Sequence, residues 1–365
     1  MFNEYYKGKK VLVTGHTGFK GSWLCNWLIS LGAEVSGVSD GIPTTPSLFE
    51  ISGIGDKIDH HICDVTSKSE FKALLNEINP DIIFHLAAQA IVSTSYENPL
   101  DTIETNAYGT AILCDFLKDR ESPITCVLIT SDKCYENVEW EYGYRESDML
   151  GGRDIYSASK ACAEILYASY FQSFLKHNKN IKICSARAGN VIGGGDWAKD
   201  RIVVDMIDAW SAGNSVKIRS PKATRPWQHV LEPLSGYLHL GERLNANAEL
   251  NGQSFNFGPK SEQNRTVIEL SNDLFSRLRD FVPATVSCEV IDDKPFHEAG
   301  LLKLCCDKAL MRLGWEANLP YEHCVDFISD WFAAYLNKED MSLITSDQIR
   351  RYCDLARERE LLWTK

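Results

Sequence analysis

Short apolar runs and helical periodicities alternate from the start of the chain. Lys10 to Thr14 is a β-type run, Gly18 to Leu31 repeats its apolar positions at helical spacing, and Ala33 to Val38 is a second strand. The rhythm continues with a helix near Ser69 to Ile78, a strand at Ile82 to Leu86 and a helix around Thr102 to Leu117. A strand at Ile124 to Thr130, a helix from Tyr156 to Phe174 and a strand at Ile181 to Arg187 complete it. Five strands that are apolar along nearly their whole length must be buried on both faces. The pattern therefore predicts an α/β fold, a doubly wound parallel Rossmann sheet.

Beyond about residue 187 the rhythm breaks at Gly193-Gly194-Gly195 and several prolines. We expect a cofactor-binding domain over 1–187 and a smaller lobe over 188–335 that covers the C-terminal edge of the sheet, interleaving with the first. A helical tail would follow over 336–365. There Thr345 and Gln348 have the spacing of a helix-capping pair, ahead of a helix from Ile349 to Leu362.

Composition narrows the classes. With 365 residues, 44% hydrophobic and 24% charged, the chain can bury a full core, and no apolar run approaches the roughly 20 residues of a membrane span. A net charge of −12 without a Lys/Arg block argues against nucleic-acid binding. The twelve cysteines form no CxxC pair, and Cys63, Cys114, Cys126 and Cys184 sit in apolar strings, as reduced core thiols of a cytoplasmic protein would. Cys305-Cys306 reads as structural, in a strand with Leu304. Met1 to Lys10 lacks the apolar region of a signal peptide. No histidines have metal-ligand spacing: His60-His61 reads as a surface pair, His177, His239 and His323 are isolated, and no metal is expected.

The chemistry begins at the first strand–helix junction. Gly15, Gly18 and Gly21, in Gly15-His16-Thr17-Gly18-Phe19-Lys20-Gly21, give the GxxGxxG spacing that lets backbone approach a pyrophosphate at a helix N-terminus. Asp40 lies 22 residues beyond Gly18, at the end of the second strand, where a carboxylate accepts from ribose hydroxyls and repels a 2′-phosphate. That favours NAD over NADP. Asp64 and Val65 follow a further short strand, at the edge where an adenine would rest. Leu86, Ala87, Ala88 and Gln89 close the next strand in mostly small residues that leave room for a cofactor, and Asn106 completes the candidate cofactor set. Tyr156 and Lys160, four apart, share a helix face, so the ammonium is expected to lower the tyrosine's pKa and to hold a nicotinamide ribose.

These motifs resemble the extended short-chain dehydrogenase/reductases through about residue 335. The strings Thr14 to Ser22, Pro46 to Glu50, Thr130 to Tyr135, Arg187 to Trp197 and Arg225 to Val230 are similar to those of the CDP-glucose 4,6-dehydratase subfamily. The resemblance implies a hydro-lyase that oxidises C4 of a nucleotide hexose with NAD, eliminates water across C5 and C6, and returns the hydride to C6. It implies roles in deoxysugar and surface-polysaccharide (O-antigen) synthesis, and a homodimer or homotetramer built on the helices Thr102 to Leu117 and Tyr156 to Phe174. It makes Tyr156 the base for the C4 hydroxyl, with Ser131 and Lys160 assisting.

Asp132 would handle the C6 hydroxyl proton. Lys133, where related dTDP-glucose enzymes hold a glutamate, would either remove the C5 proton or stabilise the enolate as a cation. Neighbours on a regular strand face opposite sides, so both reach the sugar only if the strand has turned. For the substrate the resemblance implies Asn190, Arg201 and Arg225 at the diphosphate, Asn256 nearby and Gln89 beside the sugar, with Arg219 and His297 as weaker candidates. Lys199 and Arg265 are further cations of the same lobe, and Trp197 and Trp227 either stack on a base or pack in the core. Competing readings are a nucleotide-sugar 4-epimerase, a dehydratase for another nucleotide hexose, and a non-catalytic NAD-sensing regulator. The pair Asp132-Lys133 favours elimination.

Overall fold

The computed structural model describes residues 1–218, 220–260, 263–283, 286–291 and 301–365. Its centre is one parallel sheet of seven strands. Six come from the first half of the chain: β1 (Lys10–Thr14), β2 (Glu34–Ser39), β3 (Asp59–Ile62), β4 (Ile82–His85), β5 (Ile124–Ile129) and β6 (Ile181–Arg187). The seventh, Ser254–Asn256, pairs with β6, and the spatial order is Ser254–Asn256, β6, β5, β4, β1, β2, β3. The order reverses between β1 and β4, and the crevice over the C-terminal ends of these two strands is where such a sheet takes a ligand.

The central strands are largely apolar because each face carries its own core, whereas the edge strand β3 is polar and mostly exposed. Val11, Val13, Ile82, Phe84 and Val127 point into one, with Trp23, Trp27 and Leu28 of helix α1 (Phe19–Ser30). Leu12, Ile83, Cys126, Leu128 and Ile183 point into the other, with Phe71, Leu113 and Tyr167. The alternation is the two-residue period of the pleat.

Residues beyond β6 serve both the sheet and a second lobe. The Leu231–Ala246 helix packs on β5 and β6, while short pairs such as Thr224–Pro226 with Asn264–Thr266 stand apart from the sheet. The tail helix runs Met341–Glu358 and is capped by Asp340, whose carboxylate accepts from the Ser342 amide at 2.9 Å. This corrects the expected start at Ile349. Thr345 and Gln348 lie inside the helix and face its neighbour: Thr345 accepts from Trp331 Nε1 at 3.2 Å, and Gln348 donates to the Phe327 carbonyl at 2.6 Å. A capping spacing and an inward-facing i,i+3 pair look alike in sequence.

The cysteines are all free, and Cys305-Cys306 is not in a regular strand; only Leu304 forms an isolated bridge, with Tyr144. Among the described residues no helix is long and apolar enough to cross a membrane, and no cluster of histidine, cysteine and carboxylate could hold a metal.

Candidate active site

The β1–α1 loop is shaped by two glycines. Gly15 has φ +71°, and a Cβ there would lie 2.8 Å from the Ala87 amide nitrogen; a Cβ on Gly21 would lie 2.2 Å from the Gly15 carbonyl oxygen. Glycine alone allows both approaches. Helix α1 opens at Gly18, whose missing side chain leaves the first-turn amides uncapped and aimed at the crevice. Thr17 Oγ1 donates to the Gly41 carbonyl at 2.6 Å, tying this loop to the end of β2, where Asp40 is exposed. Phe19 closes the loop from beneath, against Gly193. A cradle that any Cβ would fill, free helix amides and a carboxylate at the end of β2 fit a dinucleotide.

The other cofactor candidates divide. Leu86, Ala87 and Ala88 are partly exposed at the end of β4, and Thr14 Oγ1 accepts from the Ala87 amide at 3.1 Å. Asp64 is engaged with the Thr66 amide at 2.8 Å, and Val65 is buried in the core. Asn106, 2% exposed in a π-turn, donates to the Gln89 carbonyl and to Ser159 Oγ, joining the segment after β4 to the helix of Tyr156; its Oδ1 is a buried acceptor with no partner. Gln89 Nε2 donates to Ile91 and Thr102 and its Oε1 accepts from the Ile91 amide, so this side chain braces its own loop. Of the expected surface pair of histidines, His60 is exposed and His61 half-buried, and His60 Nδ1 also lies 2.6 Å from Nε2 of the fully buried His16, whose pKa burial lowers to about 4.

Tyr156 and Lys160 stand on the Ile155–Ser173 helix, which Asp154 caps by accepting from the Ser157 amide at 2.8 Å. Both are buried, at 8% and 6% exposure. Burial lowers Lys160 to about 8, with the Glu164 carboxylate pulling it back up. Tyr156 departs from expectation: burial pushes its hydroxyl up to about 12, outweighing its hydrogen bond with Ser131 and the Arg201 charge.

At the end of β5 the chain does turn. Ser131 caps a 3-10 turn over Asp132–Cys134, its Oγ accepting from the Lys133 amide at 3.2 Å and donating to Asp132 Oδ1 at 3.0 Å. The turn gives Asp132 and Lys133 directions that a straight strand would not. Gly189 makes room for Asp132, because a Cβ there would fall 1.9 Å from the carboxylate. Asn190, at φ +54°, brings its Nδ2 to 3.5 Å from Asp132 Oδ2. Arg201 pairs with Asp196 at 3.3 Å, and both act electrostatically on Lys20, whose ammonium burial lowers to about 8. Tyr156, Ser131, Asp132, Asn190 and Arg201 therefore belong to one site.

Other candidates are not brought there as binders. Asn256 is fully buried: its Oδ1 accepts from Tyr135 at 2.8 Å and its Nδ2 donates to the carbonyls of Tyr144 and Cys305. Its side chain is thus committed to partners within the protein. Trp197 packs on Trp331 and Tyr335, and Trp227 is 6% exposed with its Nε1 donating to the Arg265 carbonyl, so both tryptophans pack in the core. Lys199 pairs with Glu97 at the surface. Arg225 lies directly across a strand pair from Arg265. Like charges so placed repel unless an anion joins them. Arg219 and His297 lie outside the described residues.

Sequence reasoning missed a buried network behind the site. Glu164 Oε2 pairs with Arg187 Nη2 at 2.7 Å, at 1% and 4% side-chain exposure, and accepts from Ser185 and Ser254, while Oε1 accepts from Thr130. Arg187 Nη1 donates to the Tyr135 hydroxyl at 2.7 Å. One pair thus ties the helix of Tyr156 to β5, β6 and the turn after β5. The available signal was that Glu164 follows Lys160 by one helical turn on an inward face.

A narrow cleft beside the turn is lined by Asp132, Gly189, Asn190, Pro226, Gln228 and Lys303, among others. A larger open hollow lies at the other edge of the sheet, where Lys10 and Glu34 begin β1 and β2. The first is the candidate substrate cleft, because Asp132 of the turn and Asn190 line it.

Comparison with known proteins agrees with this geometry. The family model described as GDP-mannose 4,6 dehydratase matches residues 12–327. CDP-glucose 4,6-dehydratase of Salmonella typhimurium is 42% identical, over 96% of this chain and 97% of its own. Among solved structures, dTDP-glucose 4,6-dehydratase of Streptomyces venezuelae, determined with NAD bound, superposes with a TM-score of 0.75 at 19% identity, covering 91% of this chain and 99% of that one. UDP-glucose 4-epimerase of Thermotoga maritima superposes equally well, at 0.75 and 20% identity over 90% and 99%. The fold is shared by dehydratases and epimerases and does not separate them; the sequence match does, and the chain belongs to the nucleotide-sugar 4,6-dehydratase family of the extended short-chain dehydrogenase/reductases.

Proposed function

We propose that the protein converts CDP-glucose to CDP-4-dehydro-6-deoxyglucose, with loss of one water and no net change in NAD. The observation that carries this is the meeting of Tyr156 with the Ser131–Asp132–Lys133 turn at one buried edge, in a chain 42% identical to a CDP-glucose 4,6-dehydratase. Bound NAD supplies a two-electron acceptor for C4 and a donor for C6. Gly15, Gly18 and Gly21 hold its pyrophosphate, Asp40 its adenosine ribose and Lys160 its nicotinamide ribose. Tyr156 takes the C4 hydroxyl proton, with the Ser131 hydroxyl bonded to the same oxygen. The resulting ketone acidifies the C5 proton, and Asp132 protonates the departing C6 hydroxyl. Asn190 and Arg201 hold the diphosphate, with Arg225 as a further cation beside it.

An epimerase needs no acid for a leaving hydroxyl, so Asp132 in the cleft speaks for elimination. The test is incubation with CDP-glucose, dTDP-glucose, UDP-glucose and GDP-mannose, with and without NAD, read by mass spectrometry. Loss of 18 mass units from CDP-glucose alone is expected; an isomer of unchanged mass would replace this reading with the epimerase.

Lys133 serves either as the base at C5 or as the cation beside the enolate, and substitution separates the two. An arginine keeps the charge but has no accessible neutral form. If Lys133→Arg retains about a tenth of kcat or more while Lys133→Met falls by roughly 100-fold or more, the lysine acts as a cation; if both fall alike, it is the base.

We also propose that a second copy covers the outer face of the helices following β4 and bearing Tyr156. Leu100 is 76% exposed there, with Ile103, Tyr108 and Ile165 also open, an apolar surface larger than scattered exposure explains. Light scattering should report a dimer or larger, and Leu100→Asp with Ile165→Asp should yield monomer; a monomeric wild type would overturn this.

A further inference from the structure

We infer that Lys303 is a phosphate-binding residue of the substrate cleft, pairing with the diphosphate of the nucleotide sugar. The inference rests on the nucleotide-sugar reading and adds a contact that none of the recognised motifs contains. Lys303 lines the cleft with Asp132, Asn190 and Gln228. It is half-buried, and its ammonium has no hydrogen-bond or ion-pair partner among the described residues. Several other cations of the lobe are engaged: Lys260 with Glu316, Lys308 with the Ser254 carbonyl and Arg265 with Glu322. An unpaired ammonium in a cleft already holding a carboxylate has an anion as its natural partner.

The backbone that carries Lys303 is fixed. Its carbonyl accepts from the Tyr144 amide at 2.9 Å, and two residues on the Cys305 amide returns a bond to the Tyr144 carbonyl at 2.9 Å. Asn256 Nδ2 then holds the Cys305 carbonyl at 3.1 Å. Gly143 permits this approach, since a Cβ there would lie 2.7 Å from the backbone of Leu304. A flexible four-carbon stem on a clamped backbone suits a charge that must follow a phosphate. Charge balance requires such a group: the chain carries −12, and Asp132 in the cleft would repel an entering diphosphate.

The experiment is calorimetric titration of wild type, Lys303→Ala and Lys303→Arg with CDP at two salt concentrations, together with steady-state kinetics on CDP-glucose. We expect Lys303→Ala to bind CDP about 10- to 100-fold more weakly, as for loss of one charge-assisted hydrogen bond, and with a flatter salt dependence. KM should rise accordingly with kcat within about twofold, Lys303→Arg should recover most of the affinity, and thermal melting should match wild type. CDP affinity within about twofold of wild type in Lys303→Ala would overturn the inference, even if wild type dehydrates CDP-glucose. Wild type that binds CDP but converts no nucleotide hexose would overturn the functional reading and leave the Lys303 contact standing.

Discussion

Tyr156→Phe should reduce kcat by about 10²- to 10⁴-fold, the usual weight of a positioned acid–base group, while leaving NAD affinity and the melting temperature close to wild type. The phenyl ring fills the same buried space at 8% exposure, so packing survives. What disappears is the hydroxyl bonded to Ser131, in the place where the C4 oxygen would lie. Because burial holds that hydroxyl near 12, it is protonated at neutral pH. A positive charge on the bound cofactor would favour its ionised form. Single-turnover absorbance at 340 nm is the measurement: the variant should show a proportionately slower oxidation step. A variant retaining more than about a tenth of wild-type kcat would remove Tyr156 from the C4 oxygen and make another group the base.

Glu164→Ala should be the most destabilising single substitution near the site, by roughly 3–5 kcal/mol, the cost of leaving a buried charge without its partner. Arg187 at 4% side-chain exposure would lose its carboxylate, and Thr130, Ser185 and Ser254 would lose an acceptor. Glu164→Gln, which preserves shape and can still accept from the hydroxyls, should cost less. Urea denaturation followed by tryptophan fluorescence reads the difference. The exposed Arg350–Asp347 pair provides the contrast, since Arg350→Ala should change nothing measurable. A loss below about 1 kcal/mol for Glu164→Ala would mean that water reaches Arg187 and that the network does not hold the helix of Tyr156 to the sheet.

The two substitutions differ in kind. One removes a group from reacting atoms; the other loosens the support behind them. Glu164 touches no substrate, yet it binds through Thr130 the strand end that leads into Ser131 and Asp132, so its less damaging variant, Glu164→Gln, should alter kcat more than KM.

Five of the strands and the longer helices of the first 187 residues were legible along the chain because those strands are largely apolar and those helices apolar on one face, and such periodicities are local; the exposed, polar β3 carries little of that signal. GxxGxxG and Tyr156–Lys160 were legible for the same reason: Gly15 meets Ala87 and Gly21 meets Gly15 through constraints that the residue types themselves announce. The three-residue strand Ser254–Asn256 was not legible, since so short a segment carries no periodicity and its partner β6 is nearly 70 residues away. Thr345 and Gln348 were read as a cap because capping and inward-facing contact share a spacing; only the position of Trp331 and Phe327 distinguishes them. Asn256 was read as a ligand contact because the resemblance placed it near the diphosphate, whereas here its side chain satisfies Tyr135, Tyr144 and Cys305. The residue types and their order thus determined the sheet and the glycine loop and marked the candidate reactive groups. Tertiary structure decided which polar side chains remain free to meet a ligand, because freedom depends on partners that arrive from distant segments and compete for the same hydrogen bonds.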